Sequence, residues 1–116
     1  MKDKYFFHHR NSRFFKISGE DSKTFIQNLI TNDITKCKNN EFIYSCLLSP
    51  QGKFLADFFI FKINEYYYFE TDKKFYLNLL NKFKMYKLRS NINIEEENLF
   101  SYSLFNEEYD VDFLIQ

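Results

Sequence analysis

The sequence predicts an α+β domain, an antiparallel sheet with two helices on one face. Three observations predict it. Pro50-Gln51-Gly52 separates two apolar runs, 44–48 and 54–61, and reads as a hairpin turn, because proline presets φ at the first corner and glycine accepts the positive φ that closes it. Two stretches, 22–30 and 73–88, carry apolar residues at the three- and four-residue spacing of one buried helical face. The order strand, helix, strands, helix, strand is that of a sheet whose helices are segregated to one side.

A chain of 116 residues supports a single hydrophobic core. Its 16 Lys and Arg cancel its 16 Asp and Glu, so no net field argues for direct binding to nucleic acid or to an anionic membrane. No apolar run approaches the ~20 residues of a membrane span, and the start Met1-Lys2-Asp3-Lys4-Tyr5-Phe6-Phe7 lacks a secretory core. The expectation is a cytoplasmic protein, or a mitochondrial matrix protein in a eukaryote. Cys37 and Cys46 form no C-x-x-C pair and read as reduced thiols. Heavy use of Asn, Lys, Ile, Phe and Tyr has the look of AT-rich coding, which makes any single aromatic residue weaker evidence of function.

Taken in order, residues 1–12 form an amino-terminal extension without a period. His8 and His9 are adjacent and so point in different directions, and no metal site is assigned to them. A strand over 14–17 leads to Ser18 and Asp21, spaced as a capping box. A helix follows with Phe25, Ile26, Leu29 and Ile30 on its buried face. Thr31-Asn32-Asp33 ends that helix as a structural turn, and 36–41 is a polar loop with Asn39-Asn40 at its tip. After the hairpin, the β-forming residues 66–71 make a third strand, its Tyr and Phe side chains forming a sheet face rather than a partner surface. Asp72 caps the second helix, with Phe75, Leu79, Leu80 and Phe83 as its stripe and Tyr76 and Tyr86 at the margin. Residues 91–94, 100–105 and 109–115 give further strands. The apolar ending, 111–116, would need cover, so the expected organisation is a domain over 13–95, with 96–116 opening a second subdomain that is cut short.

One acid stands out. In the second hairpin strand the two-residue period sets Leu55, Asp57, Phe59 and Phe61 on one face and Phe54, Ala56, Phe58 and Ile60 on the other. Both faces are apolar, so the strand is expected to be covered on both sides, with Asp57 a carboxylate among Leu and Phe. Such burial costs several kcal/mol unless a donor is supplied. The donors open to it are backbone amides, an arginine such as Arg89, or a ligand.

Four blocks then carry a resemblance: Arg13-Phe14-Phe15-Lys16-Ile17-Ser18-Gly19-Glu20-Asp21, Phe25-Ile26-Gln27-Asn28-Leu29-Ile30-Thr31-Asn32-Asp33-Ile34, Leu48-Ser49-Pro50-Gln51-Gly52-Lys53-Phe54-Leu55-Ala56-Asp57-Phe58-Phe59-Ile60, and Tyr86-Lys87-Leu88-Arg89-Ser90. Together they resemble the amino-terminal half of YgfZ-type proteins, the folate-binding iron–sulphur cluster assembly factors related to the aminomethyltransferase (T protein) of the glycine cleavage system. The resemblance implies an aminomethyltransferase-like amino-terminal folate-binding domain, with the ligand, tetrahydrofolate or a derivative, against the strand that follows the turn. By position Asp57 matches the second acid of the T protein's Gly-Gly-x-x-Asp-Asp run, with Ala56 in place of the first, and Tyr44 matches an aromatic beside folate. Phe59 and Phe61, which share the face of Asp57, complete the expected folate-binding set.

What the resemblance implies for function is an accessory protein for iron–sulphur cluster assembly or repair, with assembly factors or iron–sulphur clients as partners and an influence on cluster-dependent tRNA modification. No catalytic residue is assigned. The alternatives are a tetrahydrofolate-dependent aminomethyltransferase and a remnant domain that no longer binds folate. The Lys-Gly-Cys-Tyr-x-Gly-Gln-Glu signature of YgfZ-type proteins does not occur in this sequence, so neither Cys37 nor Cys46 inherits its role.

Overall fold

A computed structural model describes residues 11–97. Strand β1 (Ser12–Ser18) is followed by helix α1 (Ser22–Gln27), a single 3-10 turn (Ile34–Lys36), the hairpin β2 (Phe42–Leu48) and β3 (Phe54–Ile63), then β4 (Tyr66–Asp72), helix α2 (Lys73–Lys87) and β5 (Asn93–Glu97). The five strands form one antiparallel sheet in the order β2-β3-β4-β1-β5. The expected α+β architecture is therefore present. The expected strands at 100–105 and 109–115, and His8 and His9, lie outside the described residues.

The helices cover one sheet face. Phe15, Ile17, Ala56, Phe58, Ile60 and Phe69 on the strands meet Phe25 and Ile26 of α1 and Leu79, Leu80 and Phe83 of α2 in one buried cluster. Its centre is aromatic: Phe83 stands edge-on to Phe15, Phe25, Phe58 and Phe69, and Phe15 stacks on Phe69 at 5.0 Å between centroids. Edge-to-face and offset contacts of this kind add to the area each ring removes from water. Tyr76, expected at the helix margin, is buried; its hydroxyl donates to the Phe14 carbonyl at 3.2 Å and contacts Glu96 Oε1 at 3.0 Å. A tyrosine can be buried this way because its polar end finds acceptors.

The turn between β2 and β3 forms as the residues dictate. Gly52 has φ 85° and its N–H donates to the Ser49 carbonyl at 2.8 Å. The Ser49 hydroxyl also accepts from the amides of Gln51 and Lys53. Asp72 caps α2, its carboxylate accepting from the Lys74 amide at 2.9 Å.

The amino-terminal helix differs from expectation. It ends at Gln27, leaving Leu29 and Ile30 beyond it, and Asp21 makes no side-chain cap hydrogen bond. Asp21 Oδ2 instead accepts from the Asn91 amide at 2.7 Å, and Asp21 N donates to the Asn91 carbonyl at 3.2 Å. That clamp brings Gly19 against the same segment. A Cβ at Gly19 would lie 2.6 Å from the Asn91 carbonyl oxygen, and its φ of 119° disfavours any other residue. The carboxylate is used for a long-range tie, so the capping box does not form, and the fifth strand starts at Asn93 rather than 91.

Thr31-Asn32-Asp33 is a structural turn. The buried Ser45 hydroxyl accepts from the amides of Thr31 and Asn32 at 3.1 and 3.0 Å, and Ile30 bridges to Leu47. Asp33 then caps the 3-10 turn. The turn therefore lies along β2, the outer strand of the hairpin, and gives its edge hydrogen-bond partners.

Candidate functional site

The face of the sheet opposite the helices carries the Tyr44, Asp57 and Phe59 group. Register sets it up: β2 and β3 pair Leu48 with Phe54, then shift so that Leu47 faces Ala56 and Tyr44 faces Phe59. Carried through without the shift, the pairing would set Tyr44 against Phe58, whose ring lies in the core. One extra residue thus puts the Tyr44 side chain on the same face as Asp57. Asp57 stands diagonally across the pair, within reach of a tyrosine. The Tyr44 hydroxyl donates to Asp57 Oδ2 at 2.7 Å, and its ring meets Phe59 at 5.4 Å.

The partner of Asp57 is therefore a neighbouring phenol, not backbone amides or Arg89. Its own carbonyl accepts from the Thr71 hydroxyl at 2.8 Å, which ties β3 to β4 beneath it. The hydrogen bond to Asp57, and then burial, hold the Tyr44 phenol well above the usual tyrosine range. Tyr44 thus stays a donor further into the alkaline range than an ordinary tyrosine, although it is 49% exposed. Cys46 Sγ lies 3.9 Å from the same hydroxyl. The expectation that β3 is covered on both faces holds only in part: Ala56, Phe58 and Ile60 are buried by the helices, whereas Asp57 and Phe59 are half-exposed on the other side.

Beside this pair is a cavity of about 500 Å³ whose walls include Tyr44, Asp57, Phe59, Glu70, Thr71, Lys74 and Phe75. That volume lies within the range of small-molecule sites. Phe54 at the start of β3 and Phe75 at the start of α2 add a second aromatic wall from the helix side, their rings 5.6 Å apart. Of the four residues expected to bind a cofactor, Tyr44, Asp57 and Phe59 line the cavity together. Phe61 lies one side-chain repeat further along, packed on Phe42 at 5.1 Å and away from the cavity wall.

Glu70 was not singled out by sequence reasoning. It is the cross-strand neighbour of both Phe59 and Phe14, only 2% exposed, and puts a second carboxyl group on the face of Asp57. The available signal was the alternation of β4, in which Tyr66, Tyr68 and Glu70 share a side. Among the described residues no group of three His, Cys, Asp or Glu side chains is placed to hold a metal, and no helix is long and apolar enough to cross a membrane.

Comparison with known proteins places this architecture. The family model for the GCVT N-terminal domain matches residues 6–95. A protein of unassigned function from Aquifex aeolicus (strain VF5) is 37% identical over 68 residues, 57% of this chain and 46% of that protein. An aminomethyltransferase from Alkaliphilus oremlandii (strain OhILAs) is 32% identical over 54 residues, 47% of this chain and 15% of the relative. In fold, the chain is similar to the crystal structure of glycine cleavage system aminomethyltransferase T from Bartonella henselae, with a TM-score of 0.71 and 12% identity over 83% of this chain and 29% of that one. The chain thus spans less than half the length of each of these relatives. Because the family model covers most of its residues and the sheet and helices agree, this chain belongs to the GCVT N-terminal domain family and is an aminomethyltransferase-like domain.

Proposed function

We propose that this domain binds a folate, in the cavity bounded by Tyr44, Asp57 and Phe59, as a cytoplasmic accessory module of the YgfZ type that serves iron–sulphur cluster assembly or repair. The observation that carries the proposal is the Tyr44–Asp57 hydrogen bond at the edge of an aromatic-walled cavity. The residues suit such a group. A pteridine ring is flat and presents N–H donors; Phe59, Phe54 and Phe75 offer ring faces and edges, and a carboxylate has acceptor capacity beyond the one bond to Tyr44. When bound, tetrahydrofolate supplies a carrier for one-carbon units. The role of this chain is to hold and orient it: Tyr44 fixes the Asp57 carboxylate, and the β3–β4 tie through Thr71 holds the strand beneath. Phe61 would support this wall from behind Phe42 and Phe59 rather than touch the ligand.

The second reading, a tetrahydrofolate-dependent aminomethyltransferase, is favoured by the naming of several relatives as aminomethyltransferases. Position 56 weighs against it. Ala56 is buried in the helix-side core, so the site has no adjacent pair of acids on β3. Titration calorimetry of the full chain with tetrahydrofolate tests both readings. Binding with no turnover of an aminomethyl donor is expected; turnover would favour the transferase, and no binding by folded protein would overturn both and leave a remnant domain.

A further inference from the structure

The charge of this neutral chain is sharply divided, and the division points to an internal contact. From Lys73 to Arg89 every charged side chain is basic: Lys73, Lys74, Lys82, Lys84, Lys87 and Arg89. From Ser90 to Gln116 every one is acidic. Among the described residues the only salt bridges join Lys16 to Glu95 and Glu97, so none of the six cations has an acid within bonding range. The same helix and the residue that caps it leave large apolar side chains outside the core, with Leu77 65%, Met85 55% and Leu88 85% exposed. Leu77 and Lys84 stand two turns apart on one side of α2 with Leu88 just past its end, so the helix presents a mixed basic and apolar surface outside its buried stripe.

We propose that residues 98–116 dock on this outer surface of α2. Two observations select this occupant. It has the complementary chemistry, four acids (Glu107, Glu108, Asp110, Asp112) interleaved with apolar residues such as Phe105 and Phe113. It also starts in the right place: it follows directly on Glu97 of β5, and Glu96 of that strand is bonded at 3.0 Å to Tyr76 in the first turns of α2. An extended chain covers about 3.3 Å per residue, so this segment reaches well beyond the ~22 Å of a 15-residue helix. Its acids meet the cations, and its apolar side chains cover Leu77, Met85 and Leu88.

Zero-length carbodiimide cross-linking of the full chain, read by mass spectrometry on the monomer fraction, tests this. The expected products join Glu107, Glu108, Asp110 or Asp112 to Lys73, Lys82, Lys84 or Lys87, with a yield that falls at least about threefold as ionic strength rises from ~0.05 to ~1 M. Lys84→Glu with Lys87→Glu should lower the yield at Lys82 severalfold, and adding Glu107→Lys with Glu108→Lys should restore proximity, read with an amine-to-amine or thiol-directed linker. Tail products concentrated on Lys16, Lys36, Lys53 or Lys62 would overturn the proposal. So would products confined to a dimer, which would assign the surface to a second copy, or none from folded protein.

Discussion

On one face of the sheet Phe15, Phe58 and Phe69 are closed over by Phe83 of α2; on the other, Tyr44 and Phe59 stand half in solvent around Asp57. Both sets are aromatic and β3 contributes to each, so composition does not separate them. What separates them is the acid. A carboxylate among rings that close over it would need a full set of donors, and on the helix side position 56 is alanine. On the open side Asp57 keeps access to solvent, gains one bond from Tyr44, and borders a cavity. The helix face stabilises the fold, whereas the open face presents the Tyr44–Asp57 pair to the cavity where folate binding is proposed.

Substitutions can break that division. Phe69→Ala should cost about 3–5 kcal/mol in urea unfolding, because it opens a void among three other rings. Gly19→Ala should cost about 3 kcal/mol, since both its φ and the 2.6 Å approach to the Asn91 carbonyl resist a methyl group. On the open face the ordering reverses. Asp57→Asn should weaken tetrahydrofolate binding about tenfold or more while moving stability by less than about 1 kcal/mol, in line with the loss of a charged hydrogen-bond acceptor.

Tyr44→Phe is the finer probe. Because its phenol is raised in the folded state, chiefly by the hydrogen bond to Asp57, the stabilisation it brings is fully present below the unfolded tyrosine pKa of ~10 and is lost as pH rises through the higher folded value. A spectrophotometric titration should show one late-ionising phenol fewer in Tyr44→Phe. The smallest effect concerns the thiols. Burial pushes Cys37 up to about 11, so alkylation by iodoacetamide near neutral pH should label the partly exposed Cys46 first.

Much of this was legible in the sequence where a local rule dominates. Pro50 and Gly52 announce the hairpin, Asp72 announces α2, and the two-residue period of β3 puts Asp57 and Phe59 together. Long-range effects escaped it. Asp21 was spent on Asn91 rather than on its own helix, and Ser45 anchors a loop about fourteen residues earlier in the chain. The register shift at Leu47 and Leu48 that brings Tyr44 to Asp57 carries no residue signature of its own. Glu70 sits beside Phe59 only because β4 pairs with β3 in one particular register.

Side-chain and amide NMR of the full chain, titrated with tetrahydrofolate, tests the division of labour between the two faces most directly. Saturable shifts are expected at Tyr44, Asp57, Phe59, Glu70 and Thr71, with the Phe15, Phe25 and Phe83 rings of the helix side unmoved. Saturable shifts centred on the helix side, or none at any ligand concentration in protein shown to be folded, would contradict it.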